Sequence, residues 1–194
     1  MTHEVPHADC IVAVTGHRDS VLEPGDDVRH KVQSILEKLA AKHGGAEHLL
    51  MLNALAIGAD RLVFDVACEL HIPTMAVLPM PLADYEKDFT EGEERDGLHR
   101  RLAKCAHLWQ PETALPRPQC YAALGATLVR HAHILLALWD GLEDDALGGT
   151  ADVVCMAKSP VALHTGICFP FDIVAGVELV HIDVKREGAG IQQE

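Results

Sequence analysis

Short apolar runs that alternate with longer amphipathic stretches constrain the fold of this chain more than any other feature. Two of these runs are residues 10–15 (CIVAVT), which lead into Gly16, and residues 134–139 (ILLALW), which lead into Asp140. An apolar run of this length between turn residues predicts a strand that is buried on both faces. Such strands are typical of parallel sheets covered by helices, so the pattern favours an α/β fold.

Further strands and the helices between them are predicted from the same alternation. The other strands are expected at residues 49–55, at 74–78, briefly at Leu108-Trp109, and as an edge strand at 179–184. Helices are expected from Asp26 to Gly44, from Gly58 to Pro73, over 119–131 and over 151–158, and the charged stretch 84–101 predicts one or two more. Right-handed crossovers through these helices make successive strands parallel. We therefore expect a Rossmann-like doubly wound α/β sheet, mainly parallel, with helices on both faces.

The size and composition of the chain fit one domain. It has 194 residues, of which 48% are hydrophobic and 23% are charged, and no internal repeat or linker interrupts the alternation. We expect a single domain over 9–185, with short tails at 1–8 and 186–194. The chain shows no secretory signal pattern and no apolar run of about 18 residues, so we expect a cytoplasmic protein without a membrane partner.

The six cysteines are widely spaced and most lie in apolar segments, which favours reduced, buried thiols. They are Cys10, Cys68, Cys105, Cys120, Cys155 and Cys168.

The formal net charge of −13 bears on the partner. A protein that holds the nucleic-acid backbone needs a basic face, so the acidic balance predicts no extended nucleic-acid partner. A small anionic ligand remains compatible, because a few arginines and backbone N–H groups can form a local positive pocket.

Candidate binding residues follow the strands, because ligands of open α/β sheets bind beyond the carboxyl ends of the strands. Each group also has a purely structural interpretation: TGHR can be a tight turn, GADR can be a capped helix start, and GGT can be a flexible loop. The glycine pair before a helix is the most informative, because backbone N–H groups at a helix start attract anions. The candidates are Thr15, Gly16, His17, Arg18, Gly58, Ala59, Asp60, Arg61, Trp139, Gly148, Gly149 and Thr150.

Several familiar motifs are absent from the sequence. Neither the G-x-G-x-x-G dinucleotide fingerprint nor the G-x-x-x-x-G-K-[ST] phosphate loop is present. Their absence disfavours nicotinamide-dependent redox catalysis and nucleotide hydrolysis by a P-loop as functions of this chain. No H-E-x-x-H motif or Cys/His cluster supports zinc. We therefore expect no cofactor and no metal.

The segments ILLALWDG (134–141) and GGTADVV (148–154), with Tyr121 and GATLV (125–129) before them, resemble the SLOG superfamily of Rossmann-like domains. VTGHR (14–18) and AIGADRL (56–62) carry the same resemblance, which covers most of residues 11–158. That superfamily includes Lonely Guy phosphoribohydrolases, DNA-processing proteins that bind single strands, and nucleotide-sensing modules of bacterial defence systems.

The resemblance implies a phosphate held by Gly148, Gly149 and Thr150, with base or ribose contacts from residues 15–18 and 58–60. Phosphoribohydrolase members carry a P-G-G-x-G-T-x-E-E motif, whereas this chain has Leu147 in place of the proline and Val153 in place of the second acid. Asp152 remains as one catalytic candidate, and Asp140 could supply the second carboxylate that glycosidic hydrolysis requires.

Three functions are compatible with these observations. The leading hypothesis is a ligand sensor or binding module for a nucleotide or a nucleotide-derived phosphate. The alternative is a hydrolase that cleaves an N-glycosidic bond of a nucleoside monophosphate. Single-stranded DNA binding is disfavoured by the acidic balance and by the 4% aromatic content. The sequence also allows self-association but shows no dedicated interface for it.

Overall fold

The computed structural model describes residues 8–18, 27–112, 115–143, 145–159 and 169–184. Its strands are β1 (Cys10–Gly16), β2 (Leu49–Asn53), β3 (Thr74–Val77), β4 (His107–Trp109), β5 (Ile134–Trp139) and β6 (Glu178–Asp183). Its α-helices are α1 (Asp27–His43), α2 (Ala59–Glu69), α3 (Leu82–Tyr85), α4 (Glu93–Leu102), α5 (Arg117–His131) and α6 (Thr150–Lys158). Two 3₁₀ turns, Ala46–His48 and Glu86–Asp88, complete the described helical segments.

The six strands form one sheet in the order β4-β3-β2-β1-β5-β6, and every neighbouring pair is parallel. The chain builds the sheet outward from β1 to β4, returns through α5 to the other side of β1, and adds β5 and β6 there. This reversal creates a switch point between β1 and β5, where open α/β sheets bind their ligands. The predicted doubly wound fold is confirmed, and the sheet is wholly parallel among the described strands.

Helices cover both faces of the sheet, as expected for strands that are apolar along their whole length. Val12 and Val14 of β1 pack in one core cluster with residues of α1 and α2. The intervening residues, Ile11 and Ala13, point to the other face and pack in a cluster with residues of α5 and α6. Burial on both faces explains why β1 shows no polar alternation in sequence.

One strand boundary differs from the sequence-based expectation for a physical reason. β2 ends at Asn53 instead of residue 55, because the buried Asn53 side chain binds the turn: its amide donates to the Asp60 carbonyl (2.9 Å) and its Oδ1 accepts from the Leu55 N–H (2.7 Å). The charged stretch 84–101, for which one or two helices are expected, is divided among the end of α3, a 3₁₀ turn and α4, and Gly92 has a positive φ of 91° at the start of α4.

The edge strand is confirmed as β6, and the short fourth strand is confirmed as β4. The interpretation of the cysteines holds only in part. Cys10 and Cys120 are buried, but Cys155 is exposed on α6. Some of the predicted features lie outside the described residues, namely Cys168 and the helix cap Asp26. The same holds for the two expected tails, 1–8 and 186–194, of which only Ala8 is described.

Candidate functional site

A cavity of about 390 Å³ lies at the carboxyl ends of β1 and β2 and is closed by residues of α5 and by the start of α6. Its volume is in the range of small-molecule sites, which is about 300–1,000 Å³. Segments that are far apart in the sequence meet here because the sheet reverses its order beside β1. The residues that line it are Val14, Thr15, Gly16, His17, Arg18, Ala54, Ala56, Asp60, Tyr85, Tyr121, Leu124, Gly125, Leu128, Ala146, Gly148, Gly149, Thr150 and Val153.

The turn after β1 packs directly against the start of α2. The Ala59 N–H donates to the His17 carbonyl (3.2 Å), and a Cβ at Gly16 would lie 2.3 Å from the Ala59 Cβ. Gly58 caps α2 with a φ of 87°, and a Cβ there would lie 2.4 Å from the carbonyl oxygen of Arg18. Glycine is therefore required at Gly16 and Gly58 so that the two loops can touch.

Asp60 places a carboxyl group in the cavity wall although only 6% of the residue is exposed. Its Oδ2 accepts a hydrogen bond from the Ala56 N–H (3.3 Å). Burial raises its pKa from 3.8 to about 7, while backbone hydrogen bonds and the nearby guanidinium groups of Arg18 and Arg61 oppose this increase. Near neutral pH, this carboxyl group can therefore both donate and accept hydrogen bonds.

Arg18 is held by an aromatic and acidic cluster on the side of the cavity formed by α5. Its guanidinium donates to the Tyr121 hydroxyl (2.8 Å) and lies 5.1 Å from the centre of that ring. The Tyr121 hydroxyl in turn donates to Asp88, whose carboxylate also accepts from Arg117 (2.6 Å). These contacts fix the position of the Arg18 charge.

Two phenol groups in the wall are neutral at ordinary pH. Burial, together with the hydrogen bond to Asp88, raises the pKa of Tyr121 to about 12. Burial also raises the pKa of Tyr85 well above its usual value, and the Tyr85 hydroxyl donates to the Ala54 carbonyl (3.1 Å). The Tyr85 and Tyr121 rings lie 6.5 Å apart between their centres, which makes this side of the wall aromatic.

The start of α6 presents backbone N–H groups at the opposite side of the cavity. The first hydrogen bond of the helix runs from the Val153 N–H to the Gly149 carbonyl (3.0 Å). The N–H groups of Thr150, Ala151 and Asp152 precede it and have no carbonyl four residues earlier within the helix. Together with the helix dipole, they favour an anion near Thr150.

Asp152 supports this loop and does not line the cavity. Its Oδ2 accepts a hydrogen bond from the Gly148 N–H (2.8 Å), and the Gly149 N–H donates to the Ala146 carbonyl (2.8 Å). Gly148 has a φ of 73°, and its Cα lies so close to α5 that a Cβ would be 2.4 Å from the Ala122 nitrogen. The carboxylate therefore holds the glycine loop in place.

The cavity contains many of the residues predicted from the sequence, but not all of them. Thr15, Gly16, His17, Arg18, Asp60, Gly148, Gly149 and Thr150 line it. Gly58, Ala59, Arg61, Trp139, Asp140 and Asp152 are absent from its lining.

Most of these absent residues have other partners. Asp140 lies 3.0 Å from His17 Nε2, and both side chains are buried. Arg61 donates to the Leu55 and Glu94 carbonyls. Trp139 and Asp152 line a separate cavity of about 460 Å³.

Sequence reasoning assigned no binding role to Tyr85 or Tyr121. One signal was available: the chain has only two tyrosines, and both line the cavity. The apolar side of the wall, formed by residues such as Leu124, Leu128 and Val153, carries no sequence signal that distinguishes it from ordinary core.

No protein-family model matches the chain, and no curated protein matches it. Several solved structures have a similar fold. One, which describes the single-stranded DNA binding mode of DNA processing protein A from Helicobacter pylori, is 16% identical, with a TM-score of 0.49, and the match covers 78% of this chain and 62% of that one. This chain thus spans less than two thirds of that protein.

Two other similar structures are the protein TM1055 and DNA processing protein A from Streptococcus pneumoniae. TM1055 is 18% identical with a TM-score of 0.44, and the match covers 75% of this chain and 66% of TM1055. The Streptococcus pneumoniae protein is 16% identical with a TM-score of 0.44, and the match covers 88% of this chain and 58% of that protein. At these identities the likeness concerns the fold alone.

The described residues thus form a Rossmann-like α/β domain with a ligand-sized cavity at the switch point of its sheet. The Rossmann-like fold is confirmed, while the resemblance to the SLOG superfamily stays a prediction from the sequence motifs. None of the helices within the described ranges is long and apolar enough to cross a membrane.

The expectation that the net charge of −13 excludes an extended nucleic-acid partner is wrong. DNA processing protein A from Helicobacter pylori has a similar fold and binds single-stranded DNA. The physical reason is that net charge does not determine the potential inside a groove, where a few cationic groups and backbone N–H groups can dominate.

Proposed function

We propose that the cavity binds a nucleotide or a nucleotide-derived phosphate ligand, and that the chain is a ligand sensor or binding module. The observation that carries this proposal is that three separate segments, which bear Arg18, Asp60 and Thr150, line one cavity. The segments approach from β1, from α2 and from α6, so a ligand between them would contact all three.

The phosphate is assigned to the start of α6. Its backbone N–H groups supply hydrogen bonds, and Arg18 supplies a positive charge in the same cavity. The sugar and base are assigned to the remainder of the wall, where the aromatic rings of Tyr85 and Tyr121 and apolar side chains from α5 meet Asp60. Apolar walls with a few polar groups are typical of small-molecule sites.

Binding is favoured over N-glycosidic hydrolysis because of the positions of the carboxylates. Hydrolysis was assigned to Asp152 and Asp140, and neither lines the cavity. Asp152 accepts from the Gly148 N–H, and Asp140 contacts His17. A base-release assay on nucleoside monophosphates tests the hydrolase alternative directly.

The context of this binding module is also part of the proposal. We propose one domain over 9–185 with short tails, acting in the cytoplasm. The described cysteines are all free thiols, which is typical of a reducing compartment.

Isothermal titration calorimetry with nucleoside mono-, di- and cyclic phosphates tests the proposal. A short oligodeoxynucleotide belongs in the panel, because a protein of similar fold binds single-stranded DNA. We expect saturable binding of at least one mononucleotide. Arg18→Ala should weaken it by about tenfold or more, because a charge-assisted hydrogen bond contributes about 1.5–3 kcal/mol.

Arg29→Ala is the matched control. Arg29 pairs with Glu69 on the surface and does not line the cavity, so this substitution should leave binding unchanged. Absence of binding to every mononucleotide would overturn the proposal, and exclusive binding of the oligodeoxynucleotide would replace it with a DNA-binding function.

A further inference from the structure

Asp60 differs from the other polar residues of the cavity because it adds a buried negative potential to a site that also attracts anions. The start of α6 and the Arg18 guanidinium favour a phosphate, whereas a carboxyl group repels one. A phosphate beside the ionised form of Asp60 is therefore unfavourable. A ligand that fills this cavity must place its anionic end near α6 and a different chemical group near Asp60.

The position of the Asp60 carboxyl is fixed by the backbone around it. It accepts the Ala56 N–H, and the residue's own carbonyl accepts from the buried Asn53 amide. Hydrogen bonds thus hold both ends of the turn between β2 and α2 in place before any ligand enters. A carboxyl group held in this way discriminates strongly, because a ligand without a matching donor leaves a buried polar group unsatisfied.

We propose that Asp60 is the specificity-determining residue of the cavity, accepting hydrogen bonds from an uncharged, donor-bearing part of the ligand. This inference rests on the proposed nucleotide-binding function. In a nucleotide, the donors of this chemistry are the ribose hydroxyls and the exocyclic amino groups of the bases. The ligand would therefore span the cavity with its phosphate at Thr150 and its hydroxyl or amino donors at Asp60.

The shift in the pKa of Asp60 to about 7 is consistent with this role. A hydroxyl or amino donor stabilises the carboxylate form and replaces hydration that burial removes. Arg18 and Arg61 also lower its pKa, and Tyr85 is the other titratable group that interacts with it.

The test compares 5′-monophosphates that differ in the number or position of their hydrogen-bond donors. Calorimetry is performed with AMP, GMP, IMP, CMP and UMP and with their 2′-deoxy forms. The ribo and deoxy forms differ in one hydroxyl, and GMP carries an amino group that IMP lacks, so these pairs differ by one donor group. AMP and CMP carry an amino group where IMP and UMP carry a carbonyl beside a ring N–H, so these pairs differ in the position of the donor. We expect the wild-type protein to bind one member of such a pair about tenfold or more tightly.

Asp60→Asn should then reduce that preference to less than about threefold, because the amide replaces one acceptor by a donor in the same volume. Asp65→Asn, on the same helix but paired with Arg101 outside the cavity, is the control and should retain the preference. Circular dichroism confirms that each variant is folded.

The possible outcomes separate this inference from the function on which it rests. If the wild type binds mononucleotides but no pair differs by more than about threefold, the specificity proposal fails and the binding function stands. The same holds if Asp60→Asn keeps the full preference. If the wild type binds none of these ligands, both proposals fail. Should Asp60→Asn not fold, the pH dependence of the wild-type preference decides: it should be larger at about pH 8, where Asp60 is ionised, than at about pH 6, and a preference that does not change with pH would overturn the proposal.

Discussion

Replacing Asp60 by Asn is expected to remove the contribution of this residue to the pH dependence of the unfolding free energy. The folded state raises the pKa of Asp60 from 3.8 to about 7, so it binds this proton more tightly than the unfolded chain does. The contribution of this group is therefore most favourable below about pH 4. It is lost as the pH rises towards 7 and stays constant above that.

The size of the effect follows from the proton affinity. Each pH unit between about 4 and about 7 corresponds to about 1.4 kcal/mol, so the two units from about pH 5 to about pH 7 remove about 3 kcal/mol through Asp60, and the further rise to about pH 8 removes almost nothing. Asn has no proton to lose, so the variant should lack this component. Arg18 and Arg61 stay charged over the range and Tyr85 stays neutral, so the groups that interact with Asp60 keep the same charges.

Urea unfolding followed by tryptophan fluorescence at several pH values measures this difference. The free energy of unfolding of the wild type, minus that of Asp60→Asn, should fall by about 3 kcal/mol between about pH 5 and about pH 8. Glu69→Gln, a substitution at an exposed carboxylate of the same helix, is the control for removing a charge. Parallel pH profiles of wild type and Asp60→Asn would refute a buried, proton-binding Asp60.

Two further predictions concern packing and exposure. Gly58 and Gly92 start their helices with nearly the same backbone (φ 87° and 91°), but a Cβ at Gly58 would lie 2.4 Å from the Arg18 carbonyl oxygen, whereas nothing lies within 4 Å at Gly92. Urea unfolding should show that Gly58→Ala and Gly92→Ala both destabilise the fold, because each forces a side chain into a strained backbone conformation that costs about 1 kcal/mol or more. The loss of unfolding free energy should be larger for Gly58→Ala. Equal losses would mean that the loop that carries Arg18 moves away from the new Cβ without cost. Cys155 is exposed, whereas burial raises the pKa of the Cys10 thiol, so a thiol reagent followed by mass spectrometry should label Cys155 well before Cys10, and the opposite order would contradict the packing of β1.

The fold was predictable because the central strands are buried on both faces. A strand such as β5, with all six residues buried, must be continuously apolar, and that pattern is visible in the sequence. The end of β2 was less visible. The sequence LLMLNAL continues to look like a strand, while the structure ends it at Asn53 because that side chain binds the following turn.

The cavity was only partly predictable because its walls depend on long-range topology. Arg18 lies in the turn after β1, and Thr150 starts the helix that follows β5, so the rule for open α/β sheets identifies them. Tyr121 contacts Arg18 from 103 residues further along the chain, on α5, the helix that leads from β4 back across the sheet to β5. Asp140 contacts His17 for the same reason, since β1 and β5 are neighbours only in the folded sheet.

The glycines of the candidate motifs have a structural role that changes how those motifs are interpreted. Gly58 allows the start of α2 to touch the loop after β1, and Gly148 allows the loop before α6 to touch α5 beside Tyr121. In both places a side chain would collide with backbone atoms, so glycine is needed even without a ligand. These close contacts draw the three loops around one cavity. The glycines therefore account for the assembly of the site, whereas the proposed choice of ligand depends on the side chains of Arg18 and Asp60, which lie beside glycines in the candidate motifs.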